Sequence, residues 1–190
     1  MSHSFDGLIA TAYARQYPQR VLGLVHVNSI LNLPASMESM VTQGYALLPA
    51  ATRPPLDTTA PLPQCFGLVL ALLNQQHLMG RLMYFQDSTA ARLACVHPAQ
   101  PANHDFVASP YAPGVIDGYL EDLAVASSRL AMPVLVLPGQ ADNVTGPQYQ
   151  SFHFQHQRVV LMPGKHYFLL KNPREVSQAL AAFVRQLPHR

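Results

Sequence analysis

A hydroxyl is a weak nucleophile near neutral pH, and it becomes a reagent only when a base takes its proton and donors hold the oxyanion it creates. One serine in the chain stands where both could be supplied. Ser4 lies in the run Ser2-His3-Ser4-Phe5-Asp6-Gly7, at the point where a strand would turn sharply into a helix. Such a turn points the Ser4 hydroxyl outward and leaves the backbone N–H of Phe5 at a helix start, free to bind an oxyanion. Behind it, Leu8, Ala12 and Tyr13 make one apolar stripe, with Ala10 and Ala14 as small neighbours. That spacing predicts a helix over 7–17, packed closely on a sheet through the stripe and ended by Pro18.

The elements that would position further chemistry follow from apolar runs. Residues 21–27, 133–137 and 158–162 are short, rich in Val and Leu and bounded by turn residues, the pattern of strands buried on both faces of a parallel sheet. Ligands and reactive groups in such sheets gather beyond the carboxyl ends of the strands. Asp142, in the run Pro138-Gly139-Gln140-Ala141-Asp142-Asn143, and His166, in Pro163-Gly164-Lys165-His166, lie just past two of those ends. Ser4 lies where another would be. A short helix is expected over 147–154. Asn172 is a good cap for a last helix whose buried face carries Val176, Leu180 and Phe183.

Between these halves the character changes. Helices are expected over 37–48, 66–74, 77–85 and 115–128. Residues 49–63 form a proline-rich connection, and prolines 98, 101, 110 and 113 mark an irregular loop. No strand alternation interrupts this stretch. Met79, Met83, Tyr84 and Phe85 read first as packing between its helices. Asp117 and Asp122, acids that could rival Asp142, fall on a predicted helix and read as its solvated face.

The serine turn resembles the nucleophile elbow of the α/β-hydrolase family, G-x-S-x-G and commonly G-H-S-F-G-G. His3, Ser4, Phe5 and Gly7 match, while Ser2 and Asp6 replace the two glycines of the stricter pattern. The resemblance continues through the helix, the Tyr17-Pro18 pair and the strand ending at Asn28-Ser29. It extends to the loop Gly164-Lys165-His166-Tyr167-Phe168, which is followed by a helix begun with proline. It implies an α/β fold: residues 1–30 and 129–190 would be the elbow-to-C-terminus part of the core, and 31–128 an inserted helical cap over the serine. It also implies roles, in the family's order of Ser, Asp and His: Ser4 the nucleophile that forms an acyl-enzyme, His166 the general base and then acid, Asp142 the residue that fixes the imidazole. A serine nucleophile points to a carboxylic ester or similar uncharged acyl substrate, and away from the dehalogenase and epoxide-hydrolase chemistry for which the family uses aspartate. Family members place several strands ahead of the elbow, so the resemblance covers the later part of a complete hydrolase. From that follow the expectations of a chain truncated at the elbow, of Ser4 on a frayed terminus, and of self-association through an open sheet edge. Asp6 falls where the family keeps helix and sheet close, and is expected to crowd them and to oppose an oxyanion. The alternative is a catalytically inactive hydrolase remnant, acting at most as an interaction module.

Composition bounds the rest. With 49% hydrophobic and 12% charged residues, the 190-residue chain can bury a real core and is not a disordered one. A net charge of +2 without a Lys/Arg run gives no footprint for nucleic acid or an anionic membrane. The nine histidines are scattered, with His153 and His156 the one close pair, so neither a metal site nor a cofactor is expected. Cys65 and Cys95 show no C-x-x-C pattern and read as reduced, buried thiols. The start does not resemble a signal peptide, which makes a cytoplasmic location the default.

Overall fold

The structure, a computed structural model, describes residues 1–84 and 119–188. The expected loop over 96–113, the first four residues of the helix expected over 115–128, and the residues Phe85, Cys95 and Asp117 lie outside the described residues; in the rest of that expected helix only Leu123–Ala126 is α-helical, followed by a 3-10 turn over Ser127–Arg129. Among the described residues four strands form one parallel sheet in sequence order: β1 (Ser2–Ser4), β2 (Leu24–Ser29), β3 (Pro133–Leu137) and β4 (His156–Val159). Helix α1 (Asp6–Gln16) joins the first two strands. Helices α2 (Leu33–Leu47), α3 (Leu62–Gln75), α4 (Met79–Met83) and α5 (Leu123–Ala126) lie between β2 and β3, and α6 (Pro173–Val184) follows β4.

Alternation along the two central strands explains their unbroken apolar character. Leu24, Val134 and Val136 face a core shared with Leu8, Ala14, Leu33, Met37 and Phe154. Val25, Val27, Leu135 and Leu137 face the opposite layer, where Phe183 is buried and Val176 and Leu180 half-buried on α6. Both faces of the sheet are covered, as a parallel sheet requires. A separate cluster, with Met40, Val41, Cys65, Val69, Leu73 and Leu82 at its centre, joins α2, α3 and α4. Met79 and Met83 pack against it, as expected of helix-to-helix contacts.

Several expectations change. Ser2–Ser4 is a paired strand and not a frayed end: Ser2 pairs with His26 and His3 with Val27, and the Ser4 carbonyl accepts from the Ile30 N–H at 2.8 Å. Three residues are too few to show a period, so the sequence reading counts only three strands. The buried face of α1 is Gly7, Leu8, Thr11 and Ala14, while Ala12 and Tyr13 are exposed. The cause is Gly7, where an added Cβ would lie 2.6 Å from both the Ile30 carbonyl oxygen and the Ser29 Cβ. This close approach sets the rotation of the helix, and the small residues Thr11 and Ala14 follow it one and two turns on. Strand β4 is an exposed edge strand, with Val159 at 40% accessibility, rather than a strand buried on both faces. Helix α2 starts four residues earlier than expected because the Asn32 Oδ1 caps the Ala35 N–H at 2.9 Å. Residues 146–151 wind as a 3-10 helix.

Candidate active site

Ser4 ends β1 and α1 begins two residues later, so the chain reverses within Ser4 and Phe5. Ser4 takes φ 55°, a left-handed conformation costly for a residue with a Cβ and held only where the surroundings over-determine it. Here those surroundings are the β1–β2 pairing on one side and the Gly7 contact on the other. Asp6 is exposed in the first turn of α1, where a carboxylate complements the helix dipole. The expectation that Asp6 crowds helix and sheet is therefore corrected: the close approach falls on Gly7, one residue later. Ser2, in place of the motif's first glycine, is buried, and its hydroxyl meets the Val25 carbonyl at 3.3 Å, His26 Nδ1 at 2.9 Å and the Ser29 hydroxyl at 3.0 Å.

Asp142 and His166, carried on loops after β3 and β4, come together. His166 Nδ1 lies 3.0 Å and 3.2 Å from the two carboxylate oxygens of Asp142, and both residues are buried. The carboxylate is held from behind. Oδ1 accepts from the Val144 and Thr145 N–H groups at 2.8 and 3.3 Å, and Oδ2 accepts from the Thr145 hydroxyl at 2.6 Å. A carboxylate only accepts, so Nδ1 carries the proton of this contact, and in the tautomer that fits it the ring's lone pair is at Nε2. Gly139 permits the two loops to meet: a Cβ there would stand 2.8 Å from the Gly164 carbonyl oxygen and 2.9 Å from that of Lys165.

The serine half is less tightly tied. Among the described residues no hydrogen bond links the Ser4 hydroxyl to His166. The neighbouring His3 makes the contact: its Nε2 lies 3.1 Å from the His166 carbonyl oxygen, and the two rings are 4.7 Å apart. Burial, then the nearby His166, push the His3 imidazole below its ordinary value. Because a carbonyl oxygen only accepts, its Nε2–H is the donor in this contact. The α4 end also reaches this loop, where the Tyr167 N–H donates to the Met83 carbonyl at 3.3 Å and Tyr84 stacks on Tyr167 at 4.9 Å.

Sequence reasoning missed three supports. Thr145 closes on Asp142 from the loop itself. Gln148 accepts from the Leu31 and Asn32 N–H groups at 3.0 and 3.1 Å, and donates to the Thr145 carbonyl at 2.8 Å. Asn172 does not cap α6 with its side chain; its Nδ2 donates to the Pro163 and Phe168 carbonyls at 2.7 and 3.1 Å, bracing the His166 loop. Asp122 is the cap of α5 and accepts from the Ala124 N–H and the Asn32 side chain, both at 2.9 Å. Among the described residues no cluster of three or more His, Cys, Asp or Glu side chains could hold a metal, and no helix is long and apolar enough to cross a membrane.

A strand-to-helix turn at a serine, in a parallel sheet whose later strands lead into loops carrying an acid and a histidine, is a layout found in the α/β-hydrolase fold. The chain has part of that fold. It superimposes on a proline iminopeptidase-related protein from Thermus thermophilus, with a TM-score of 0.69, 20% identity, and coverage of 97% of this chain and 64% of the other. A thermophilic esterase from Thermogutta terrifontis gives a TM-score of 0.54 and 21% identity, over 97% of this chain and 63% of that one. An α/β hydrolase enzyme from a Medee basin deep-sea metagenome library gives 0.53 and 15%, over 97% and 63%. The chain thus spans somewhat under two thirds of the length of these structures. No protein-family model matches the sequence, and no curated protein matches it.

Proposed function

We propose that the chain carries the nucleophile, base and acid of a serine hydrolase that cleaves an uncharged, ester-like acyl substrate. The observation that carries this reading is the buried pairing of His166 Nδ1 with the Asp142 carboxylate at 3.0 Å, at the same end of the sheet as the strained Ser4. In this mechanism Nε2 of His166 takes the Ser4 hydroxyl proton as Oγ bonds to the substrate carbonyl carbon. The carbonyl π pair moves to oxygen, and the Phe5 N–H donates to the resulting oxyanion. Collapse expels the alkoxide, which leaves as an alcohol with the proton from His166, and an acyl-Ser4 ester remains. Water, deprotonated by the same imidazole, then attacks the ester; the acid departs and the proton returns to Ser4. No metal or cofactor enters this sequence. The helices of 31–128 would be the cap that shapes the acyl pocket, consistent with the contact between α4 and the His166 loop.

Hydrolysis of a short p-nitrophenyl ester tests the reading. The unchanged protein should release p-nitrophenol well above background, and Ser4→Ala should lower the rate by about four orders of magnitude or to the limit of detection; equal rates for the two proteins would reject it. A second reading, a catalytically silent module with this fold, is favoured by one observation: among the described residues the Ser4 hydroxyl is not hydrogen-bonded to His166. It predicts no turnover from a protein that melts cooperatively.

A further inference from the structure

The pairing of β1 with β2 slips by one residue at its end. His3 pairs with Val27, but Ser4 pairs with Ser29. Asn28 is the residue left over, and it takes φ 41°. Bulges of this kind re-aim a side chain and recur beside functional sites, and asparagine tolerates the left-handed region better than most residues. Turned aside in this way, the Asn28 amide is 3% exposed and lies between the two loops that carry Asp142 and His166. Its Oδ1 accepts from the Gly139 N–H at 2.6 Å, three residues before the acid. Its Nδ2 donates to the His166 carbonyl at 2.7 Å and to the Lys165 carbonyl at 3.2 Å.

We propose that Asn28 is a positioning residue for the Asp142–His166 pair: one amide, aimed by a bulge opposite Ser4, sets the spacing of the acid loop from the histidine loop. The chemistry requires an amide there. The acid loop offers a backbone donor and the histidine loop two backbone acceptors, and a short neutral side chain that accepts and donates at once satisfies all three. Direct backbone bonds, from the Ala141 N–H to the Gly164 carbonyl at 3.0 Å and from the Gln140 N–H to the Met162 carbonyl at 2.9 Å, also tie the two loops. The Asn28 bridge acts at the His166 backbone itself, where the His3 ring also converges. Because the register slip that pairs Ser4 with Ser29 is what leaves Asn28 free to turn aside, the same irregularity that shapes the end of β1 also places the base. The inference rests on the hydrolase reading only for the catalytic meaning of the pair.

Glycine and aspartate both accept a left-handed φ, so they alter the bridge while sparing the backbone. Asn28→Gly removes the bridge. Asn28→Asp keeps an acceptor for Gly139 and sets carboxylate oxygens against the Lys165 and His166 carbonyls. In protein labelled with nitrogen-15 histidine, the Nδ1 proton shared between His166 and Asp142 should give a low-field signal, assigned by its loss in His166→Gln. Both Asn28 variants should melt cooperatively, lose or broaden that signal, and show kcat lowered by about a hundredfold with KM little changed. An undiminished, unshifted signal in the variants overturns the proposal. So does its absence from the unchanged protein, or loss of cooperative melting in both variants, which would make Asn28 a support of the whole fold. If Asn28→Gly alone fails to fold, the signal in Asn28→Asp decides. The signal does not depend on Ser4, so an unchanged protein that shows it but hydrolyses no ester counts against the hydrolase reading and leaves the positioning role standing.

Discussion

The two halves of the candidate site are built to different standards. The Asp142–His166 half is buried and cross-braced: the carboxylate accepts from Val144 and Thr145 as well as from the imidazole, and the His166 carbonyl receives Asn28 and His3. The Ser4 half is one strained residue on a three-residue strand that, among the described residues, is paired on one side only. A base and its acid must keep one geometry through every proton transfer, and buried networks with satisfied partners hold geometry best. Ser4, the proposed nucleophile, needs a different support, a turn tight enough to hold φ 55°. That support comes from the Gly7 contact and the Ser2–His26–Ser29 polar cluster beneath it. The pair is thus fixed by many moderate bonds, and the serine by a few close contacts.

The largest expected effect breaks the braced half directly. His166→Ala should lower ester turnover by about four orders of magnitude relative to the unchanged protein, as measured by initial rates. Ser4→Ala should cost as much, and the double variant no more than either single one, because the residues act as a unit. Additive losses would show that the two halves do not work together.

Acid should loosen the serine half. Burial first, and then the N-terminal charge, push the His26 imidazole down to about 3, whereas unfolded it protonates near 6.5. Between those values the unfolded chain binds more protons at His26, so its contribution to stability is full above pH 6.5 and is lost as pH drops through the window, by up to roughly 5 kcal/mol at its lower end. Urea titrations between pH 7 and pH 3.5 should show a shallower loss for His26→Leu than for the unchanged protein. Parallel curves would remove His26 as the cause. Hydrogen exchange would sharpen the comparison. At low pH the Ile30 N–H, bonded to the Ser4 carbonyl, should lose protection before the Gly139 N–H, bonded to Asn28.

What the sequence disclosed follows the same division. Asp142 and His166 were legible because each sits in a local signal, a Gly-containing turn directly after an apolar strand. The elbow was legible through His3, Ser4, Phe5 and Gly7, but the rotation of α1 was not. Apolarity pointed to Ala12 and Tyr13, whereas closest approach at Gly7 decided the outcome. Asn28 was the least legible. Its role depends on a register slip against a strand some two dozen residues earlier and on loops more than a hundred residues later, and no local pattern encodes either. Asn172 looked like a helix cap and instead braces the histidine loop, because the carbonyls of Pro163 and Phe168 lie within its reach.

Smaller effects separate the halves further. Gly139→Ala must push the two loops apart, and should cost about 1–3 kcal/mol together with most of the activity. A melting temperature and rate equal to those of the unchanged protein would show that the loops have slack. Asp6→Gly should cost under about 1 kcal/mol, since it removes only an exposed carboxylate at a helix start and puts glycine in the first turn. A marked rise in esterase rate in that variant would restore the view that Asp6 opposes the oxyanion.

The central claim, that Ser4 is a nucleophile served by the Asp142–His166 pair, is tested most directly by a fluorophosphonate probe with the labelled residue mapped by mass spectrometry. The account predicts phosphonylation at Ser4, slowed by more than a hundredfold in His166→Ala and absent in Ser4→Ala. Labelling that is missing from the cooperatively folded, unchanged protein, falls on another serine, or proceeds equally well without His166 would contradict it.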